Sequence, residues 1–142
     1  MQKVEVVRSF PAPPQAVWDA YTDHARWSEW AGFPKSWLEV AGQPDRNGTG
    51  AVRGFGAGGV KVLEEVLDFE PPKRMTYRLI KGPMPIANHL GEVRFEPEKG
   101  GTRVVWGCQF DSKIPGLGGL LRLFITRTFR TALEGLARHS FS

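Results

Sequence analysis

Few residues in this chain pair a reactive side chain with a position that a core would enclose, and His89 comes first among them. Its stretch, Ala87 to Glu96, alternates: His89, Gly91, Val93 and Phe95 share one face of a strand, while Asn88, Glu92 and Arg94 share the other with Leu90 as the one apolar intruder. An imidazole on an apolar face can serve as general acid or base near neutral pH. The competing reading is a satisfied histidine of the core or its rim. Glu64 is the candidate partner, provided that Val62, Glu64 and Val66 point inward. Leu63, Glu65 and Leu67 fit the opposite phase nearly as well, so that register stays open. Tyr77 and Thr128 each carry a hydroxyl that a ligand, the backbone or water would satisfy.

Other chemistries find less support. His24, His89 and His139 lack metal-ligand spacing and have no acid-rich cluster beside them, so no metal is expected. His139 falls in the last turn of a predicted helix, where its charged form would face the negative end of the dipole. Cys108, the lone cysteine, excludes an internal disulfide framework and reads as a small buried hydrophobe. Gly54-Phe55-Gly56-Ala57-Gly58-Gly59 formally matches the GxGxxG dinucleotide fingerprint. The next segment, Val60 to Phe69, has the character of a strand rather than a phosphate-binding helix, so the glycines read as a hairpin turn and no cofactor is expected.

The elements that must position these residues emerge from periodicity. Leu117 to Ser140 is the only stretch with a sustained helical period: Leu117, Leu120, Leu121, Phe124, Ile125, Phe129, Ala132, Leu133 and Leu136 form an apolar stripe opposite an arginine-bearing face. Upstream, Val4 to Phe10 reads as a strand and Pro13 to Tyr21 as a short helix opened by prolines. Trp27 and Trp30 lie on one face of a second helical piece. Strands are then expected at Ser36 to Val40, Ala51 to Phe55, Val60 to Phe69, Lys73 to Lys81, Ala87 to Glu96 and Thr102 to Phe110, joined by short turns that imply an antiparallel sheet. In the last of these Thr102, Val104, Trp106, Cys108 and Phe110 form an aromatic inner face. The class is α+β, with residues 1–142 forming one domain of a size that buries roughly two-thirds of its unfolded surface.

Composition narrows the partners. The net charge of +4 comes from lysines and arginines scattered among acids rather than gathered in blocks, which argues for solvated surface charge and against nucleic acid. No apolar run approaches the ~20 residues of a membrane span, so no stable membrane insertion is expected. No secretory h-region comes after Met1-Gln2-Lys3, which makes a cytoplasmic location the expectation.

Taken in order, these features resemble the START-like superfamily, also called SRPBCC, and within it the polyketide cyclase/dehydrase and lipid-transport group. The resemblance spans nearly the whole chain. It is carried by the first strand running into Phe10-Pro11-Ala12-Pro13-Pro14-Gln15-Ala16-Val17-Trp18, by Trp27 and Trp30, by Asp68-Phe69-Glu70-Pro71-Pro72, by Gly101-Thr102-Arg103-Val104-Val105-Trp106, and by the Pro115-Gly116 entry to the helix. It implies a helix-grip fold, a curved antiparallel sheet of about seven strands around the long C-terminal helix, with a hydrophobic tunnel between them. The expected tunnel lining is Trp30, Phe55, Tyr77, His89, Trp106, Cys108, Phe110, Leu121, Phe124, Ile125 and Thr128. The expected function is binding of a small hydrophobic or aromatic molecule there. One alternative is a cofactor-independent cyclase or dehydratase in which His89, Tyr77 or Glu64 moves protons. Others are a protein-interaction domain and loose membrane association through the arginine face. The sequence leaves the oligomeric state open.

Overall fold

The computed structural model describes residues 1–141. The chain runs β1 (Gln2–Phe10), α1 (Pro14–Thr22), a 3₁₀ turn (His24–Glu29), β2 (Lys35–Val40), β3 (Val52–Ala57), β4 (Val60–Glu70), β5 (Arg74–Lys81), β6 (Ile86–Glu98), β7 (Gly101–Ser112) and α2 (Gly118–Ser140). Each transition has a local cause. Pro14 opens α1 at a position where its missing N–H costs nothing. The Gly58-Gly59 turn joins β3 to β4. Pro115 and Gly116 precede α2 and interrupt strand pairing.

Strands β2 to β7 form a meander, and β1 closes the far side by pairing with β7, giving a seven-stranded antiparallel sheet in the order β1-β7-β6-β5-β4-β3-β2. This is the helix-grip arrangement, with α2 laid on the inner face against β1 and β7. The alternation expected in β7 holds, because Thr102, Val104, Trp106, Cys108 and Phe110 are all buried. Trp106 stacks on Phe129 of α2 with ring centroids 4.0 Å apart and planes 7° apart, joining sheet to helix at the centre of the core.

The apolar stripe of α2 is narrower than the sequence suggests. Leu121, Ile125, Phe129, Ala132, Leu133 and Leu136 are buried, but Leu120 and Phe124 are 64% and 59% exposed. An apolar residue counts toward a stripe whether or not a sheet lies beneath it, and here Leu120 and Phe124 stand largely outside the buried row.

Close approach explains one glycine. Tyr77 of β5 lies across its cross-strand partner Gly91, where a Cβ would stand 2.2 Å from the ring. The ring cannot retreat, since Trp106 Nε1 donates to its hydroxyl at 2.7 Å and it is fully enclosed. Gly91→Ala should therefore cost about 1–3 kcal/mol of stability through overpacking. Gly59→Ala, where a Cβ meets nothing, should leave the urea midpoint unchanged. Equal midpoints for the two variants would contradict this packing.

Candidate functional site

The most consequential polar residue of the interior is one that periodicity alone does not single out. Arg53 on β3 is 1% exposed. Its Nε donates to Glu64 Oε1 at 2.9 Å, and both terminal nitrogens approach the Tyr21 hydroxyl at 3.4 Å. Its guanidinium carbon lies 4.0 Å from the Trp27 ring centroid and 4.3 Å from that of Tyr77. The cation is thus held between two aromatic faces, each worth about 0.5–2 kcal/mol when desolvated. Arg53 and Glu64 are direct cross-strand partners, which fixes the open register: Glu64 points inward with Val62 and Val66. Counting outward from the Gly58-Gly59 turn places Arg53 opposite Glu64, so this pairing was present in the sequence as an opposite-charge pair across a hairpin.

Burial leaves the surrounding groups in defined protonation states. It raises the phenols of Tyr21 and Tyr77, so both stay protonated near neutral pH. It pushes the Cys108 thiol up to about 12, keeping it protonated. His24, fully buried beside the cluster, donates from Nε2 to the Asn47 carbonyl at 2.9 Å, while its Nδ1 has no partner. Desolvation, reinforced by Arg53, pushes its imidazole down to about 3.

Between this cluster and the N-terminal half of α2 lies a cavity of about 360 Å³. Phe33, Phe55, Val62, Leu79, Met84 and Ile125 supply much of an almost wholly apolar wall. The polar exceptions are Glu64, His89 and Thr128. Thr128 spends its hydroxyl proton on the Phe124 carbonyl at 3.0 Å. Glu64 gives one oxygen to Arg53 and keeps Oε2 without a protein partner.

His89 sits where the sheet parts. β5 and β6 pair only as far as Tyr77 and Gly91, beyond which the Leu79 N–H donates to His89 Nδ1 at 3.0 Å in place of a backbone carbonyl. A register shift between Ala87 and Leu90, with Asn88 at φ 54°, sets this orientation, and the Asn88 amide donates to Asp111 at 2.9 Å. Because Nδ1 accepts, the neutral ring carries its proton on Nε2. Burial holds this imidazole below its ordinary pKa, Glu64 opposing the shift and Arg53 adding to it. Neither Glu64 Oε2 nor His89 Nε2 is sealed within the protein, since His24 Nδ1 is the one buried side-chain polar atom among the described residues that lacks a partner. Among the side chains that line the cavity, Glu64 therefore keeps an acceptor and His89 a donor without a protein partner.

Of the residues expected to line this space, Phe55, His89, Phe124, Ile125 and Thr128 do, together with Glu64. Trp30, Tyr77, Trp106, Cys108, Phe110 and Leu121 lie outside it, in the packed core. They face inward as predicted, but the Trp106–Phe129 stack and the Tyr77 ring close the space between sheet and helix there, leaving packed core. Among the described residues no group of three or more His, Cys, Asp or Glu side chains is placed to hold a metal ion.

The family described as polyketide cyclase/dehydrase and lipid transport matches residues 1–140. The chain belongs to that family. It is of the START-like, SRPBCC type, as its sheet and gripped helix also show. Among solved structures, a protein of Thermobifida fusca superposes with a TM-score of 0.82 at 26% identity, covering 96% of this chain and 91% of that one. XoxI of Bacillus cereus gives 0.79 at 17% identity, covering 99% and 96%. An aromatase/cyclase, Zhui, from a Streptomyces species gives 0.78 at 16% identity, covering 98% and 93%. No curated protein matches the chain by sequence. At these identities XoxI and Zhui speak for the fold alone.

The buried cluster makes two claims that can be measured. Glu64→Gln removes the counter-charge of an enclosed cation and should cost about 3–5 kcal/mol, whereas Arg53→Met combined with Glu64→Leu should recover most of that loss. Urea unfolding of single and double variants tests this, and a double variant as unstable as the single one would contradict it. For His24, whose folded pKa is depressed, the unfolded chain binds the extra proton between about pH 6.5 and about 3. Stability should fall as pH drops through that window, at up to about 1.4 kcal/mol per unit from this one group. His24→Gln should flatten the slope between about pH 6 and about pH 5, and an unchanged slope would mean that His24 titrates normally.

Proposed function

We propose that this protein binds a small, uncharged, largely apolar or aromatic molecule in the cavity between β3, β4, β5, β6 and α2. The observation that carries the reading is the cavity itself: about 360 Å³ of apolar space with one hydrogen-bond donor, His89 Nε2–H, and one acceptor, Glu64 Oε2. Its size falls in the lower part of the roughly 300–1,000 Å³ range of ligand sites. A carbonyl would accept from His89 and a hydroxyl or enol would donate to Glu64. A ligand carboxylate would meet Glu64 with like charge, which disfavours it. The free, buried thiol of Cys108 accords with the reducing cytoplasm as the setting.

The shared cavity wall of Glu64 and His89 favours a second reading, proton transfer on a carbonyl compound; the family's description names cyclases and dehydrases, and the Streptomyces relative is named an aromatase/cyclase. Glu64 Oε2 would take a proton from carbon next to the carbonyl, and the electron pair of that C–H bond would move onto the carbonyl oxygen, held by His89 Nε2–H. Two features weigh against it. Glu64 already commits one carboxylate oxygen to Arg53, and His89 spends its lone pair on the Leu79 amide, leaving it a donor rather than a base.

The discriminating experiment uses the uncharged dye N-phenyl-1-naphthylamine and then aryl ketones that displace it. Thr128→Trp, which fills the cavity from the helix side, should weaken dye binding at least tenfold with the fold intact by circular dichroism. His89→Gln should weaken ketone binding about threefold to tenfold, the worth of one neutral hydrogen bond. Dye affinity unmoved by Thr128→Trp would place the ligand elsewhere. A His89→Gln variant that keeps its affinity but loses about a hundredfold in turnover would establish the enzymatic reading.

A further inference from the structure

Beside the cavity mouth, α2 carries large apolar side chains that no part of the protein covers. Leu120, Leu123 and Phe124 are 64%, 59% and 59% exposed, and their spacing of three and four residues sets them on one outward arc. Ile114, just before the helix, is 48% exposed. Across the cavity, Val60 at the start of β4 is 51% exposed beside Lys61, and Val60 and Phe124 both line the cavity. Single exposed leucines are ordinary; a contiguous group at the rim of an apolar cavity is not.

Its charge environment differs from that of the arginines on the outer face of the sheet. On the outer face of the sheet the arginines are neutralised: Arg74 pairs with Asp68, Glu70 and Glu92, Arg94 with Glu92 and Glu96, and Arg103 with Glu96. Between Asp111 and Glu134 the chain has no acidic residue at all. Lys113, Arg122, Arg127 and Arg130 in that stretch are exposed, and among the described residues none of them pairs with an acid.

We propose that the N-terminal half of α2, with the adjoining cavity mouth, docks on the surface of an anionic lipid membrane. Protruding leucine and phenylalanine side chains flanked by unneutralised cations are what an interfacial helix presents to the headgroup region, where apolar burial and attraction to anionic lipid add together. A second copy of this chain fits the face poorly, since it would bring Arg122, Arg127 and Arg130 against their own equivalents. The contact is peripheral, because no helix among the described residues is long and apolar enough to cross a membrane. Docking there turns the cavity opening toward the lipid. It does not require the cavity to hold any particular ligand.

The test is sedimentation of the full chain with vesicles of phosphatidylcholine alone and of phosphatidylcholine mixed with phosphatidylglycerol. Binding to the mixed vesicles should exceed binding to the neutral ones at least tenfold and should fall as salt is raised. Leu120→Ser with Leu123→Ser should weaken binding to mixed vesicles about tenfold or more, as should Arg122→Gln, Arg127→Gln and Arg130→Gln together. Melting temperatures should stay unchanged, because all five side chains are exposed. Neither Leu120 nor Leu123 lines the cavity, so their variant should bind N-phenyl-1-naphthylamine as the wild type does; this separates failure of the membrane proposal from failure of the ligand reading. Wild-type protein that ignores mixed vesicles, or variants that bind them as well as wild type, would overturn the proposal. So would a concentration-dependent dimer in analytical ultracentrifugation that the leucine variant dissolves, since the face would then belong to a second copy.

Discussion

A guanidinium removed from water must find its whole hydration shell in the protein, and Arg53 imposes that demand at the centre of this fold. Its partners come from four separate places in the chain: Tyr21 from α1, Trp27 from the 3₁₀ turn, Glu64 from β4 and Tyr77 from β5. Those elements have to converge for the charge to be tolerated, because each unmet donor or lone counter-charge in such a site costs several kcal/mol. The aromatic corner of the core is arranged around it. Tyr21 meets Trp27, Trp30, Phe95 and Trp106 at edge or tilted angles, and Trp106 in turn stacks on Phe129 of α2. The ion pair therefore links sheet, short helices and long helix through rings in direct contact.

The same cluster decides where open space remains. On its side of the helix, large rings fill the gap between sheet and α2. On the other, the lining is Val62, Leu79, Met84 and Ile125, which leave the cavity unfilled. Glu64 stands at the boundary, one oxygen bonded to the buried cation and the other without a protein partner. His89 reaches it because β5 and β6 separate and a side-chain nitrogen replaces a ladder carbonyl. A group needed for sheet continuity thereby has its tautomer fixed and its remaining N–H available, so that one bond serves both structure and recognition.

Electrostatic neutrality is distributed unevenly over the surface. The sheet's outer face is closed by cross-strand and same-strand ion pairs, individually weak when exposed but together leaving little unbalanced charge. The first half of α2 has cations with no acids to answer them, next to apolar side chains with no core to enter. Both features lie at the mouth of the cavity, so that the least self-sufficient part of the surface adjoins the least filled part of the interior.

Periodicity and turn chemistry in the sequence determined the element order, the antiparallel pairing, the inward face of β7 and the inward placement of His89, because these depend on side-chain alternation within one segment. The hairpin at Gly58-Gly59 also contained the Arg53–Glu64 pairing, although nothing local to an arginine in a short strand distinguishes a buried one from a solvent-facing one. Only the tertiary structure decided which inward residues line a cavity and which close into core. Trp106 and Tyr77 have the same alternation as Phe55 and differ in what packs against them, Phe129 of α2 for Trp106, and Arg53 and Trp106 for Tyr77. In the same way, Leu120 and Phe124 share the helical period of Leu121 and Ile125. Whether a sheet lies beneath a given turn of helix is set by how the helix crosses the sheet, which no local pattern encodes.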